Sequence, residues 1–439
     1  MRIRFWGTRG SLPRPAPAFL RYGGNTSCVE VQAGDGTLVI LDCGTGIYGL
    51  GQELIRSKAK PREAHILITH THWDHIQGFP FFAPLFASGT TWHIYAPGFR
   101  GQRLKAILAQ AMSYSYFPVR LEELGAEVHY HDLGECVFDL GPIRVTSRYM
   151  NHPTLTLGYR LEAGGASAIY IPDHEPNALL PENGPPGAEP LHREDQRHVD
   201  FLQGADLLVH DAQYTLEEYR GRVGWGHSPI EKAVDYAIAA KVKRLALFHH
   251  DPLRGDKALD LLLKKARGRA GKENGRPEVL AASEGLGVAL SGEAAAPSAA
   301  HPARQARLPA RTSKSILVVG KNEEVVRKLE AAMPPEDFQV VTAQDGEAAI
   351  GVAARERLGV VVALQCASGE GLKVCRAIRR SPDARIQNLP VILYADGALG
   401  ETELQACYWA GATDCVSQAM SPVQLRSRVC AWLLRTAER

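Results

Sequence analysis

Six residues constrain this chain more than any other stretch: His70-Thr71-His72-Trp73-Asp74-His75, with Thr69 in front of them. They follow Ile66-Leu67-Ile68, a short apolar run that reads as a buried strand. Three imidazoles and one carboxylate therefore crowd a single strand end. Imidazole with carboxylate suits borderline divalent ions, zinc first, with iron or manganese accepting the same donors. A solvated loop that happens to be rich in histidine is the bland alternative. It is disfavoured because further histidines and aspartates recur at later strand ends. Fifteen of the sixteen histidines precede residue 251, so imidazole chemistry belongs to the first half of the chain.

A chain of 439 residues exceeds one ordinary core, and the pattern divides it. Residues 1–292 alternate short strands, loops and helices. Residues 293–314, rich in Ala, Pro and Arg, read as a linker, and residues 315–439 repeat strand and helix in the manner of a parallel α/β domain. A formal net charge of +2 gives no general attraction to nucleic acid or membrane. Eight cysteines without a C-x-x-C pair suggest reduced thiols, and the start of the chain lacks a signal-peptide core, so a cytoplasmic protein is expected. No apolar run approaches the roughly 18 residues that a membrane span requires.

The motif His70-x-His72-x-Asp74-His75 resembles the signature of the metallo-β-lactamase fold, an αββα sandwich of hydrolases. Downstream, the strand Ile143–Ser147 leads to His152, Ala168–Ile171 leads to Asp173, and Arg244–Phe248 leads to His249 and His250. The resemblance implies two divalent metal ions. His70, His72 and His152 would hold one, Asp74, His75 and His249 the other, and Asp173 would bridge them. Strand register favours His249 over His250. Two ions a few ångströms apart acidify a shared water and clamp the oxygen that becomes negative, so a bridging hydroxide would attack, with Asp74 and Asp173 placing it. Asp42, ending the strand Leu38–Leu41, is a candidate to orient a ligand histidine, with an Asx-turn role as the alternative.

The segment Gly224-Trp225-Gly226-His227-Ser228-Pro229-Ile230-Glu231 resembles an element of ribonuclease Z-like phosphodiesterases. Ser228 is expected as an N-cap, with Pro229 at the first helical position and Glu231 completing a capping box. His227 and Ser228 would bind substrate there, and His227 could donate a proton. Asp211, after Leu207–His210, is expected to support the site. A basic, aromatic stretch at 99–127 either roofs the cleft or packs into the core. The loop 174–200 is acidic and proline-rich, a poor handle for folded RNA, which points to a small phosphodiester instead of nucleic acid.

The second domain resembles the response-regulator receiver, a (βα)5 doubly wound fold, without its active residues. Gly320-Lys321 stands in place of the acidic pair and Ala363 in place of the phosphoacceptor. Tyr394, Gln418 and Ala419 occupy the positions of the hydroxyl residue, the lysine and the proline. No phosphoacceptor is therefore expected, and a role in protein docking or self-association is. A lactonase or thioesterase on the same sandwich, and a non-enzymatic scaffold, are the competing functions.

Overall fold

The structure is a computed structural model that describes residues 1–57, 61–97, 104–177, 192–271, 277–291, 315–333, 338–365, 369–395, 397, 401–417 and 420–436. The expected linker at 293–314, like Arg100, Arg103, Gln418 and Ala419, lies outside the described residues.

Strands of the first half are β1 (Arg2–Gly7), β2 (Cys28–Gln32), β3 (Leu38–Leu41), β4 (Glu63–Leu67), β5 (Thr91–Pro97), β6 (Glu127–Leu133), β7 (Cys136–Leu140), β8 (Ile143–Tyr149), β9 (Leu157–Ala163), β10 (Ala166–Ile171), β11 (Leu207–Asp211), β12 (Arg244–Phe248), β13 (Glu278–Ala281) and β14 (Gly287–Ala289). Its helices are α1 (Ile47–Arg56), α2 (Trp73–Ile76), α3 (Leu104–Ala111), α4 (Arg193–Leu202), α5 (Leu216–Arg220), α6 (Ile230–Ala239) and α7 (Asp256–Ala270). The strands form two seven-stranded sheets, ordered β14-β1-β2-β3-β4-β5-β6 and β13-β12-β11-β10-β9-β8-β7.

Alternation along the strands explains the layers. In β10, Ala168 and Tyr170 face the other sheet, whereas Ile169 and Ile171 face the helices. In β12, Ala246 and Phe248 point inward and Leu245 and Leu247 outward. The inward residues meet Phe5, Val29, Val31 and Leu41 of the first sheet. Helices α6 and α7 cover the outside of one sheet, and α1 and α3 the other, over Ile40, Ile66 and Trp92. The result is the four-layer αββα sandwich of the metallo-β-lactamase fold. Because β10, β11, β12 and β13 run parallel, their carboxyl ends open at one rim.

Two expectations change here. Helix α6 begins at Ile230 with Pro229 as its cap, and no side chain caps it. Ser228 is instead recruited by His174, whose carbonyl oxygen accepts its hydroxyl at 2.6 Å, while Glu231 accepts the Leu216 amide at 3.0 Å. Tertiary acceptors thus displaced the local capping box. The stretch at 99–127 divides: Leu104, Leu108 and Met112 are core, and Tyr114 and Tyr116 are exposed.

The second domain holds β15 (Ser315–Val319), β16 (Gln339–Ala343), β17 (Val360–Gln365), β18 (Val391–Ala395) and β19 (Asp414–Ser417), with α8 (Glu323–Ala332), α9 (Gly346–Arg355), α10 (Glu370–Arg379), α11 (Ala384–Gln387), α12 (Glu401–Trp409) and α13 (Pro422–Thr436). All its strand pairs are parallel, in the order β16-β15-β17-β18-β19, which is the receiver arrangement. Ala363 is fully buried in β17, in register with Val319 and Leu393. With no carboxylate at that position, incubation with acetyl phosphate and magnesium is expected to leave no acyl phosphate on this domain. Intact-protein mass spectrometry checks this, and a base-labile phosphate mapped to residues 315–436 contradicts it.

Candidate metal centre

The rim where strands end gathers side chains from four connections. The turn after β4 leads through His70 and His72 into α2, which carries Asp74 and His75. His152 follows β8, Asp173 follows β10, and His249 follows β12. Far apart in sequence, these residues converge. His70, His72 and His152 offer ligand atoms within 4.8 Å of one another, and so do Asp74, His75 and His249. Asp173 lies between the two sets: Oδ2 stands 3.8 Å from His70 Nε2 and 3.7 Å from His152 Nε2, and Oδ1 stands 3.1 Å from His75 Nε2 and 3.5 Å from His249 Nε2.

The donor set fits a pair of divalent cations. His70 Nε2, His75 Nε2 and Asp173 Oδ1 are all buried, and apart from the 3.1 Å approach of the last two to each other none has a partner. Buried polar atoms are almost always satisfied, so three orphans facing one space mark a place for a ligand atom's partner. Burial, and then neighbouring His75, push His70 well below the usual imidazole range, and burial also lowers His72 and His152. Neutral imidazoles are what a cation needs, and His75 departs from this, since its burial is outweighed by Asp74, Asp173 and Asp42, which push it up. Burial would raise Asp74 and Asp173, but the surrounding imidazoles outweigh it and keep both carboxylates ionised.

A second ring of groups aims the first. His75 Nδ1 lies 2.8 Å from Asp42 Oδ2, and Asp42 also accepts the Thr69 amide at 2.7 Å and the Tyr170 hydroxyl at 2.9 Å. His152 Nδ1 lies 2.9 Å from the Gly226 carbonyl oxygen. His249 Nδ1 lies 2.9 Å from Gln213 Oε1, and the Ser11 amide donates to Asp74 Oδ2 at 2.7 Å. Gln213, Ser11 and Gly226 were not legible from the sequence, because neither an isolated amide side chain nor a backbone group carries a motif. Of the non-glycine residues with positive φ among those described, Ser11, Asp42 and His249 all border this cluster. Strained backbone gathers where the side chain's aim matters more than local comfort.

Beside the cluster, His227 Nδ1 lies 3.0 Å from Asp211 Oδ2. Burial alone would lower His227, but Asp211 above all, with Asp173 and Asp74, pushes it up to about 9. Its ring stacks on His249 at 4.9 Å. Ser228, expected to touch substrate, is fully buried, and its amide donates to Asp211 Oδ2 while its hydroxyl is taken by His174. It therefore shapes the His227 turn from behind. His250 points away, with Nε2 2.9 Å from the Ala282 carbonyl oxygen. The acidic loop also reads differently: Glu175 and Asp195 are buried. Glu175 accepts the Tyr219 hydroxyl and the Gly224 and Gly226 amides, and residues 178–191 lie outside the described residues.

An αββα sandwich with this cluster at its rim defines a metal-dependent hydrolase of the metallo-β-lactamase fold. Residues 37–250 match the family described as "Beta-lactamase superfamily domain". Among curated proteins, the chain is 27% identical over 291 residues to ribonuclease Z of Haloarcula marismortui, covering 57% of this chain and 86% of that protein. Ribonuclease Z of Thermococcus kodakarensis is also 27% identical over 291 residues, covering 57% and 83%. Among solved structures, the metallo-beta-lactamase fold protein YhfI of Bacillus subtilis aligns with 65% of this chain and 98% of its own, at 18% identity and a TM-score of 0.46.

Asp42→Asn keeps the side chain's size and tolerates the φ of 61° at this position, but removes the charge facing His75. Metal affinity is expected to fall roughly 10–100-fold, measured by competition with a chromogenic chelator, with an unchanged circular dichroism spectrum.

Proposed function

We propose that the first domain is a dinuclear phosphodiesterase acting on a small, nucleotide-type phosphodiester. In this reading His70, His72 and His152 hold one divalent ion and Asp74, His75 and His249 the other, with Asp173 between them. Zinc is favoured by the number of imidazoles, and iron or manganese would fit the same donors. When bound, such a pair supplies an acidified water and positive charge opposite the attacked phosphorus.

The observation that carries the reading is the His227–Asp211 pair set against the double cluster. Asp211 takes the Nδ1 proton of His227 in a hydrogen bond, which leaves Nε2 as the ring nitrogen free to serve substrate. A charged imidazole there neutralises a phosphate oxygen or delivers a proton to the departing alkoxide. Thioester hydrolysis has less need of such a donor, since a thiolate leaves without one. Trp73 and Trp225 are more than half exposed at 64% and 53%, next to His72 and Gly226. Each is an indole available for stacking on a base.

Cleavage of RNA is the second reading, favoured by the relatives named ribonuclease Z. The burial of Glu175 and Asp195 removes two charges that would have repelled a polyanion. We assign the receiver-like domain to protein contact.

A metal-reconstituted panel tests these assignments. Bis(p-nitrophenyl) phosphate and cyclic or linear nucleotides are expected to be hydrolysed, with chelation abolishing turnover. Turnover of acyl-homoserine lactones or thioesters alone would overturn the phosphodiester reading, and turnover of precursor transfer RNA alone would select the second. His227→Ala is expected to lower kcat by roughly 100–10,000-fold with metal stoichiometry unchanged, measured by steady-state kinetics beside elemental analysis.

A further inference from the structure

One side chain of the receiver-like domain reaches the metal centre's supporting loops. Arg428 lies on α13 with its side chain only 6% exposed, and its Nη1 donates to Asn151 Oδ1 at 2.6 Å. Asn151 directly precedes His152. Asn151 Nδ2 in turn donates to the Glu175 carbonyl oxygen at 2.8 Å, and the Glu175 amide donates back to the Asn151 carbonyl at 2.7 Å. That exchange ties the loop after β8 to the loop after β10, which carries Asp173. The Glu175 carboxylate then holds the Gly224 and Gly226 amides at 2.6 and 2.8 Å, and the Gly226 carbonyl faces His152 Nδ1 at 2.9 Å. His227 follows Gly226.

Charge makes the link stronger than its single hydrogen bond. Glu175 is fully buried, and its carboxylate needs a nearby positive charge as well as donors. Arg428 is itself held by Asp414 of β19, whose Oδ2 lies 3.5 Å from its Nε, and Trp432 Nε1 donates to the same oxygen at 3.0 Å. The guanidinium is therefore anchored on its own domain and aimed at the other. A second contact, the Tyr408 hydroxyl donating to the Asn177 carbonyl at 2.6 Å, joins α12 to the same loop beyond Asp173.

We propose that Arg428 is a positioning residue of the hydrolase centre. Through Asn151 and Glu175 it braces the loops bearing His152, Asp173 and His227, so that seating of the receiver-like domain sets the competence of the site. This rests on the dinuclear phosphodiesterase reading. A domain that has lost its phosphoacceptor thereby keeps a function, as a structural arm whose position a protein partner could change.

The test uses the full-length chain. Wild-type protein is first assayed for two metal equivalents and for turnover of bis(p-nitrophenyl) phosphate, since failure there sinks the functional reading and not the role of Arg428. Given an active wild type, Arg428→Met is expected to lower kcat roughly 10–100-fold with KM little changed, and to weaken retention of metal on dialysis. Combined with Asn151→Ala, the losses are expected to be less than additive, because both act through one contact. Arg428→Lys, which keeps the charge without the planar fork, is expected to recover part of kcat and covers the case in which the Met variant fails to fold. Wild-type kcat and metal retention in a folded Arg428→Met, strictly additive losses in the double variant, or wild-type kinetics in Arg428→Lys where the Met variant does not fold would each overturn the proposal.

Discussion

The structure depends on a cost that packing alone cannot meet. Five imidazoles and two carboxylates are brought within a few ångströms of one another at a largely dry rim, where unpaired charge and unpaired donors are both expensive. Like groups repel, and three of their polar atoms find no partner among protein atoms apart from the 3.1 Å approach of two of them to each other. Cations bound between them would convert repulsion into attraction. Around that point the fold is arranged so that each donor sits on a short loop or helical turn that follows a rigid strand, where its position varies least.

Rigidity at the rim comes from polar links and not from apolar contact alone. Asp42 shows how. Its carboxylate collects an amide and a hydroxyl from Thr69, the phenol of Tyr170 from the opposite sheet, and an imidazole nitrogen of His75. One side chain thus locks the first sheet, the second sheet and the His75 imidazole together. Asp211 does similar work for the turn of His227, taking the amides of His174, Gln213 and Ser228 besides the imidazole. Such carboxylates are costly to bury and tolerable only when nearly every lone pair is used, which is the condition met here.

The second domain extends the same logic. Where its receiver resemblance would place a nucleophile and an acidic metal pocket, the sequence has Ala363 and Gly320-Lys321. Its sheet and two apolar layers persist because they depend on period-2 and helical patterning, which the active residues never supported. What distinguishes it from an idle remnant is a buried arginine crossing to the hydrolase loops. A charged side chain is rarely kept buried without a partner, and its partners lie in both domains.

The clustered motif and the strand–helix alternation, through their resemblance to known folds, were enough for the αββα and receiver-like architectures, because ligand spacing and alternation are local properties. His249 and His250 illustrate where locality stops: adjacent in sequence, one faces Asp74 and the other the Ala282 carbonyl, a difference made by the left-handed turn at His249 with its φ of 55°. Ser228 and Glu231 show the same limit from the other side, since a sound local capping pattern yielded to the His174 carbonyl and the Leu216 amide, distant groups that offered stronger partners. Glu175, one acid of an acidic loop, became the buried hub of two loops, and Arg428 of α13 reached it through Asn151. Local spacing determines which residues can bind a metal or form a strand. Which of them are desolvated, and against what, depends on chain segments hundreds of positions apart, and only the tertiary structure decided it.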